Sequence, residues 1–351
     1  MRNPYDKHME NILKVVGTSI MYKLLNIKFY IKTILTGLIL YLLIHYSQLK
    51  LELFKSLFNN FYTLTLVFFL LYLMVYFSAW RWFRLNTTQN INHSFRYTIL
   101  PTYLGIAYNY ILPGNIGGDF YRLYYLIKKF PAQKSQAIIS IFTDRLCGLL
   151  GILVIIFSLS PYYLLTLAKN TTMSFFLVSY DFFFILGIIM VPILFFASDK
   201  FNLAKKMETF IPKRISESFI SLGEAINIYK NAKLIILESI FASIITQLTL
   251  LITVVMISEM MDLKSISSLD FMLALAFAQI ANLLPLTPGG LGIGEAAFAN
   301  IILLLNPATS VGYGTVFLAL RFVSILAYLP GVFLGIFGLN LNKASANFLN
   351  R

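Results

Sequence analysis

The stretch LPLTPGGLGIGE, residues 284–295, governs the fold. It interrupts an apolar run, 271–305, that is long enough to cross about 30 Å of hydrocarbon. Proline removes a backbone donor and paired glycines leave helical dihedrals easily, so one helix does not continue through it. The run reads as two half-length helices meeting in a broken turn within the membrane. LPGNIGGD, residues 112–119, interrupts the run 94–126 in the same way. Pro113 precedes Gly117-Gly118 by four residues, and Pro285 precedes Gly289-Gly290 by four.

Around these two broken runs lie six plain ones, at 29–47, 61–82, 137–164, 174–197, 234–257 and 312–339. Hydrophobic types make up 58% of the 351 residues, charged types 12%, and the mean hydropathy is +0.76. Soluble domains carry about 45–50% apolar and about 25% charged residues. The chain lacks the charge to cover a soluble surface, which excludes a soluble two-domain enzyme. Its 32 Phe and 21 Tyr exclude disorder. The fold class is an all-α polytopic membrane protein.

Cys147 is the single cysteine, so no internal disulfide forms. His8, His45 and His93 are never four apart, so neither a metal site nor a cofactor is expected. Nothing points to nucleic acid.

Lysine and arginine set the orientation. Of 28, 22 lie in five places: the first 32 residues, the stretch from Arg81 to Arg96, the stretch from Arg122 to Lys134, the segment 200–233, and the tail. Four lie in the other loops, at Lys50, Lys55, Lys169 and Lys264, and two, Arg145 and Arg321, lie within apolar runs. Cytoplasmic loops hold the excess of such charges. Both termini are therefore expected in the cytoplasm of a multi-pass cell-membrane protein.

This split gives the broken runs opposite entrances. The first is flanked by basic loops and returns to the cytoplasm, whereas the flanks of the second are nearly uncharged and face outside. The expected architecture is two inverted repeats, about 29–164 and 174–339, each with two spans, a re-entrant hairpin and one span. An interfacial segment (1–28) precedes this domain (29–339), a cytoplasmic amphipathic linker (199–233) lies within the second repeat, and a tail (340–351) follows. Eight plain transmembrane helices with glycine kinks are the alternative. Inverted repeats with broken helices mark transporters, with the substrate at the repeat interface.

A charge at the bilayer centre costs about 2.5–3.5 kcal/mol on insertion scales, and persists where it pairs, lines water or meets substrate. The candidates for a substrate pathway are Asp119, Arg122, Asp144, Arg145, Glu295 and Arg321. Asp181 and Glu238 lie beside no motif and read as structural. Asp119 and Glu295 each open the half-helix after a glycine turn, where free N–H groups carry partial positive charge. Each acid either caps its helix and pairs with the arginine of the next span, or handles a proton or cationic group while the turns cradle a phosphate. The two readings are compatible. Arg145 and Arg321 each lie eight residues into the span that follows, counted from Ala137 and from Tyr313, so Asp119 is expected to face Arg145 and Glu295 to face Arg321, with the hairpins meeting near the midplane.

No catalytic set is present. An intramembrane aspartyl protease needs Tyr-Asp before Gly-x-Gly-Asp, but Tyr180-Asp181 follows the GGD and position 116 is Ile. No Ser/His, Cys/His or HExxH arrangement occurs.

Three stretches together resemble the flippase-like integral membrane family, the transmembrane domain of lysylphosphatidylglycerol synthases. They are LPGNIGGDFYRLYYL (112–126), SIFTDRLCGLLG (140–151) and LPLTPGGLGIGEAAF (284–298). The GGDxxR element falls on Gly117, Gly118, Asp119 and Arg122, and the acid-arginine pair on Asp144-Arg145, where the family more often has Glu. PxTPGGxGxxE falls on Pro285, Thr287, Pro288, Gly289, Gly290, Gly292 and Glu295. The resemblance implies movement of a phospholipid or polyprenyl-linked lipid, with an anionic head group, between leaflets. Bifunctional relatives add a lysyl-transferring domain for which this chain has no residues, so no enzyme activity is expected. The alternative is a non-transporting scaffold for a lipid- or glycan-modifying enzyme.

Overall fold

The computed structural model describes residues 49–111, 117–166, 232–263, 266–283, 290–307 and 312–336, with shorter pieces within 34–45, 174–185, 228–229 and at 287. The interfacial segment, most of the spans 29–47 and 174–197, nearly all of the linker and the tail lie outside the described residues. So do Pro113, Pro285, Pro288 and Gly289.

The described residues form helices and no strand. After a 3-10 turn at Leu51–Phe58 come α1 (Phe61–Thr88), α2 (Arg96–Ile111), α3 (Gly117–Lys129), α4 (Lys134–Thr166), α5 (Lys233–Met260), α6 (Ser268–Ala281), α7 (Ile293–Leu305) and α8 (Tyr313–Ile336). Four stretches are long and apolar enough to cross a membrane: Phe61–Thr88, Pro131–Thr166, Lys233–Met260 and Tyr313–Gly331. This makes the protein an all-α polytopic membrane protein.

The broken runs separate as read. At 1.5 Å per residue the 14-residue α6 and the 13-residue α3 and α7 reach only about 20 Å. None crosses about 30 Å of hydrocarbon alone. In each hairpin the two arms pack on one another, α2 on α3 and α6 on α7. Plain spans do not describe these two runs.

Local chemistry sets the helix ends. The Asn60 side chain accepts from Thr63 N–H at 3.1 Å and starts α1, and Ser267 accepts from Leu269 N–H at 3.2 Å and starts α6. Past the end of α1, Asn90 takes φ +59°, a left-handed conformation that asparagine tolerates. α1 runs six residues beyond its apolar stretch, so Arg84 lies on a helix and not in a loop. Helix propagation carries such residues when their side chains find partners.

The halves share one packing plan. When α1, α2, α3 and α4 are exchanged with α5, α6, α7 and α8, every packed pair of these helices maps onto another packed pair. α1 and α5 lie against each other at the centre of this plan, α2 packs on α8, and α6 packs on α4. The largest apolar core joins Val67, Leu71 and Val75 of α1 to Val254 and Ile257 of α5, Ala274 and Ala278 of α6, Phe298 of α7 and Val323 of α8.

One junction between halves is polar. Pro330 lies inside α8 and has no N–H to give its own helix. Next to it, Gly331 N–H donates to the Tyr103 hydroxyl at 3.1 Å, and that hydroxyl donates to the Ala327 carbonyl at 3.3 Å. Tyr72 donates to the same carbonyl at 2.8 Å. A side chain of α2 thus bridges a donor and an acceptor one turn apart in α8.

Candidate functional site

The first hairpin builds its site on close backbone contact. A Cβ at Gly118 would strike the Gly105 carbonyl of α2. Only glycine permits that approach, and it brings Gly118 N–H within 2.8 Å of the Asn109 side-chain oxygen. One orphan donor of α3 is thereby met inside the hairpin. Asp119 and Arg122 follow one turn apart and face α4.

From there a chain of alternating charges runs across three helices. Arg145 Nε of α4 lies 2.5 Å from Asp119 Oδ2. Asp119 Oδ1 is 3.5 Å from Arg122 Nη1. Arg122 Nη1 and Nη2 both donate to Asp144 Oδ2 at 3.0 Å. Asp144 Oδ1 accepts from Arg81 Nε of α1 at 2.7 Å, and Arg81 Nη1 donates to Ser243 of α5 at 2.7 Å. The Arg122 guanidinium also lies over the Trp82 ring, 4.1 Å from its centroid. Exposure grades along this ladder: the Asp144 side chain is 2% exposed and that of Arg145 43%. The buried end holds one carboxylate between two guanidiniums, an arrangement in which each charge needs the others.

The second hairpin builds a smaller, closed version. Gly290 and Gly292 take φ +72° and +84°, values open to glycine and strained for other residues. Gly292 N–H donates to Glu295 Oε2 at 2.8 Å, so the acid reaches back over the start of its own helix. Glu295 Oε1 lies 2.9 Å from Arg321 Nε. The N–H is not aimed for a hydrogen bond, so this contact is coulombic. Arg321 Nη2 donates to the Gly290 carbonyl at 3.3 Å. Glu295 is fully buried, and the Arg321 side chain is 11% exposed. Thr287 is buried nearby, its hydroxyl without a hydrogen-bond partner among the described residues.

The geometry therefore groups Asp119, Arg122, Asp144 and Arg145 in one cluster and Glu295, Arg321, Gly290 and Gly292 in another. The expected pairs, Asp119 with Arg145 and Glu295 with Arg321, both form. The two clusters do not share extensive packing: α3 packs on α2 and α4, and α7 on α6 and α8. Among the described residues the arms of the two hairpins do not pack extensively on each other, contrary to the expected meeting, because each lies against a plain span of the other half, α2 on α8 and α6 on α4. Reading the sequence missed Arg81, Trp82, Ser243 and Asn109. Arg81 carried a signal, as the one charge within the apolar run 61–82.

Three further acids take neutral or partly exposed partners. Asp270 accepts from Tyr163 at 2.6 Å and from Asn306 at 2.8 Å. Asp181 accepts from Ser160, and Glu238 pairs with Arg84 at 2.8 Å. Among the described residues no group of three His, Cys, Asp or Glu could hold a metal.

Searches of curated proteins and of solved structures return no match. The family described as Lysylphosphatidylglycerol synthase TM region matches residues 29–331, a stretch that holds both hairpins and both charge clusters. The chain belongs to the lysylphosphatidylglycerol synthase transmembrane-region family.

Proposed function

We propose that the protein moves a lipid with an anionic head group, a phospholipid or a polyprenyl-linked lipid, between the leaflets of the cell membrane. The observation that carries this reading is the charge ladder from Arg81 to Arg145. Five ionised side chains within largely apolar helices are costly, and a structural lock needs only one pair, as Glu295 and Arg321 illustrate. The ladder's graded exposure supplies a path on which a phosphate exchanges one guanidinium for the next. Asp119, Arg122, Asp144 and Arg145 line the pathway, and Glu295 and Arg321 brace the second hairpin beside it. The chain acts without covalent chemistry, and both termini lie in the cytoplasm. The family supports a role with membrane lipids, and the matching packing of the halves supports an inverted repeat.

The test is lipid movement in vesicles holding the purified protein. Short-chain fluorescent phosphatidylglycerol, phosphatidylcholine and polyprenyl phosphate are each followed by dithionite bleaching from outside. Faster loss of the anionic probes than in empty vesicles is expected. Rates equal to those of empty vesicles for all three would overturn transport and favour a scaffold for a lipid- or glycan-modifying enzyme.

A further inference from the structure

The two clamps differ in a way that the family match does not describe. Asp119 and Glu295 are 176 positions apart, and so are Arg145 and Arg321. At that shift α3, Gly117–Lys129, falls on α7, Ile293–Leu305, end to end. The same shift places Phe298 where the first half has Arg122, and Leu320 where it has Asp144. Phe298 and Leu320 are buried in one apolar core. The second clamp is backed by hydrocarbon and sealed. The first is backed by charge and open, with the Arg145 side chain 43% exposed.

The direction in which Arg145 is open matters. Ile138, Phe142 and Leu146 of α4 are each more than 40% exposed and repeat at helical spacing beside Arg145. On α3, Phe120 next to Asp119 is 68% exposed. Arg145 thus lies on the outer, apolar side of α4, which in this protein faces lipid. Beyond it, residues 146–166 carry no charge. These 21 residues extend about 31 Å as a helix, the thickness of the hydrocarbon. Arg145 then sits at one edge of the hydrocarbon, at the level of lipid phosphates, on the side of the basic loops.

We propose that the seam between α3 and α4 is a lateral entry for a phospholipid from the cytoplasmic leaflet, with Arg145 as the group that binds its phosphate. This deepens the transport reading and rests on it. The lipid phosphate displaces the Asp119 carboxylate from Arg145, and Phe120, Phe142 and Leu146 take the first part of the acyl chains. Asp119 acts as a stand-in anion that holds the guanidinium in place until a lipid arrives. Glu295 and Arg321 stay paired throughout and lock the second hairpin.

Lipid retention tests this apart from transport. The full-length protein is purified in detergent with added phosphatidylglycerol or phosphatidylcholine, and bound lipid is counted by native mass spectrometry. Arg145→Gln should lower phosphatidylglycerol retention at least tenfold and leave the melting temperature within about 2 °C, as expected for a half-exposed pair. Asp119→Asn should raise retention, because the competing anion is gone. Arg84→Gln, which removes another partly exposed paired arginine away from the seam, should retain lipid as wild type does. Wild-type retention by Arg145→Gln, or reduced retention by Asp119→Asn in folded protein, would overturn the entry site. Selective retention that is lost in Arg145→Gln, together with no lipid movement in vesicles, would uphold the site and overturn transport instead.

Discussion

Replacing Asp144 by Asn removes the one carboxylate that two guanidiniums share. The Arg81 and Arg122 side chains are 11% and 8% exposed, so water does not take over the lost charge. Breaking a buried pair by removing one partner costs about 3–5 kcal/mol, and here two cations lose that partner. We expect Asp144→Asn to lower the melting temperature in detergent, followed by intrinsic tryptophan fluorescence, by on the order of 10 °C. The protein itself supplies a rescue. Its second half fills two of the equivalent positions with Phe298 and Leu320, and exchange of buried ionic groups for apolar ones of similar volume is often neutral. The triple variant Arg81→Leu, Arg122→Phe, Asp144→Leu should therefore melt well above Asp144→Asn while moving no lipid. A melting temperature for Asp144→Asn within 2 °C of wild type would refute the shared-carboxylate account. So would a triple variant no more stable than the single one.

Gly118→Ala should drive α3 off the Gly105 carbonyl, lowering stability by about 1–3 kcal/mol in denaturant titration and abolishing lipid movement. Glu295→Gln should cost stability and, with the second hairpin unlocked, transport; exchanging Glu295 with Arg321 should restore both together but only in part, since the acid leaves the helix start, as thermal melts and vesicle assays on the same preparations will show. Burial beside Phe83, Tyr97 and Phe130, opposed by the Ser94 carbonyl and aided by the Lys129 charge, holds the His93 imidazole below its usual range. The unfolded chain gains that proton near pH 6.5 while the folded one does not, so stability should fall as pH drops below about 6.5. The slope of melting temperature between pH 7.5 and 5.5 should be shallower in His93→Phe. Single cysteines placed at 50, 169 and 264 on a Cys147→Ser background should react with an impermeant maleimide from outside in intact cells, whereas one at 128 should not.

Local features carried much of the site. Proline and glycine spacing marks both hairpins, and the equal arginine offsets place Asp119 by Arg145 and Glu295 by Arg321, because each pair spans adjacent helices of one repeat. The ladder's other end was not legible. Arg81 reaches Asp144 across 63 residues, and Ser243 comes from the opposite half. Nothing in spacing records which faces of α1, α4 and α5 converge. Hydropathy also ends α1 at Trp82, since it scores Arg84 as exposed, whereas the helix continues by giving Arg84 a bridging partner in Glu238.

The Tyr103 bridge bears on how the chain is assembled. α8 is made after α2, and the turn beside Pro330 takes up a hydroxyl from α2, made more than two hundred residues earlier. As it enters the bilayer, α8 therefore meets a hydroxyl that offers its Gly331 amide and Ala327 carbonyl further partners, beside a proline that gives the helix no N–H. It gains those bonds only by docking on a hairpin already in place. Docking of this span thus couples its insertion to the tertiary closure of the two halves, fastened at Ala327 and Gly331.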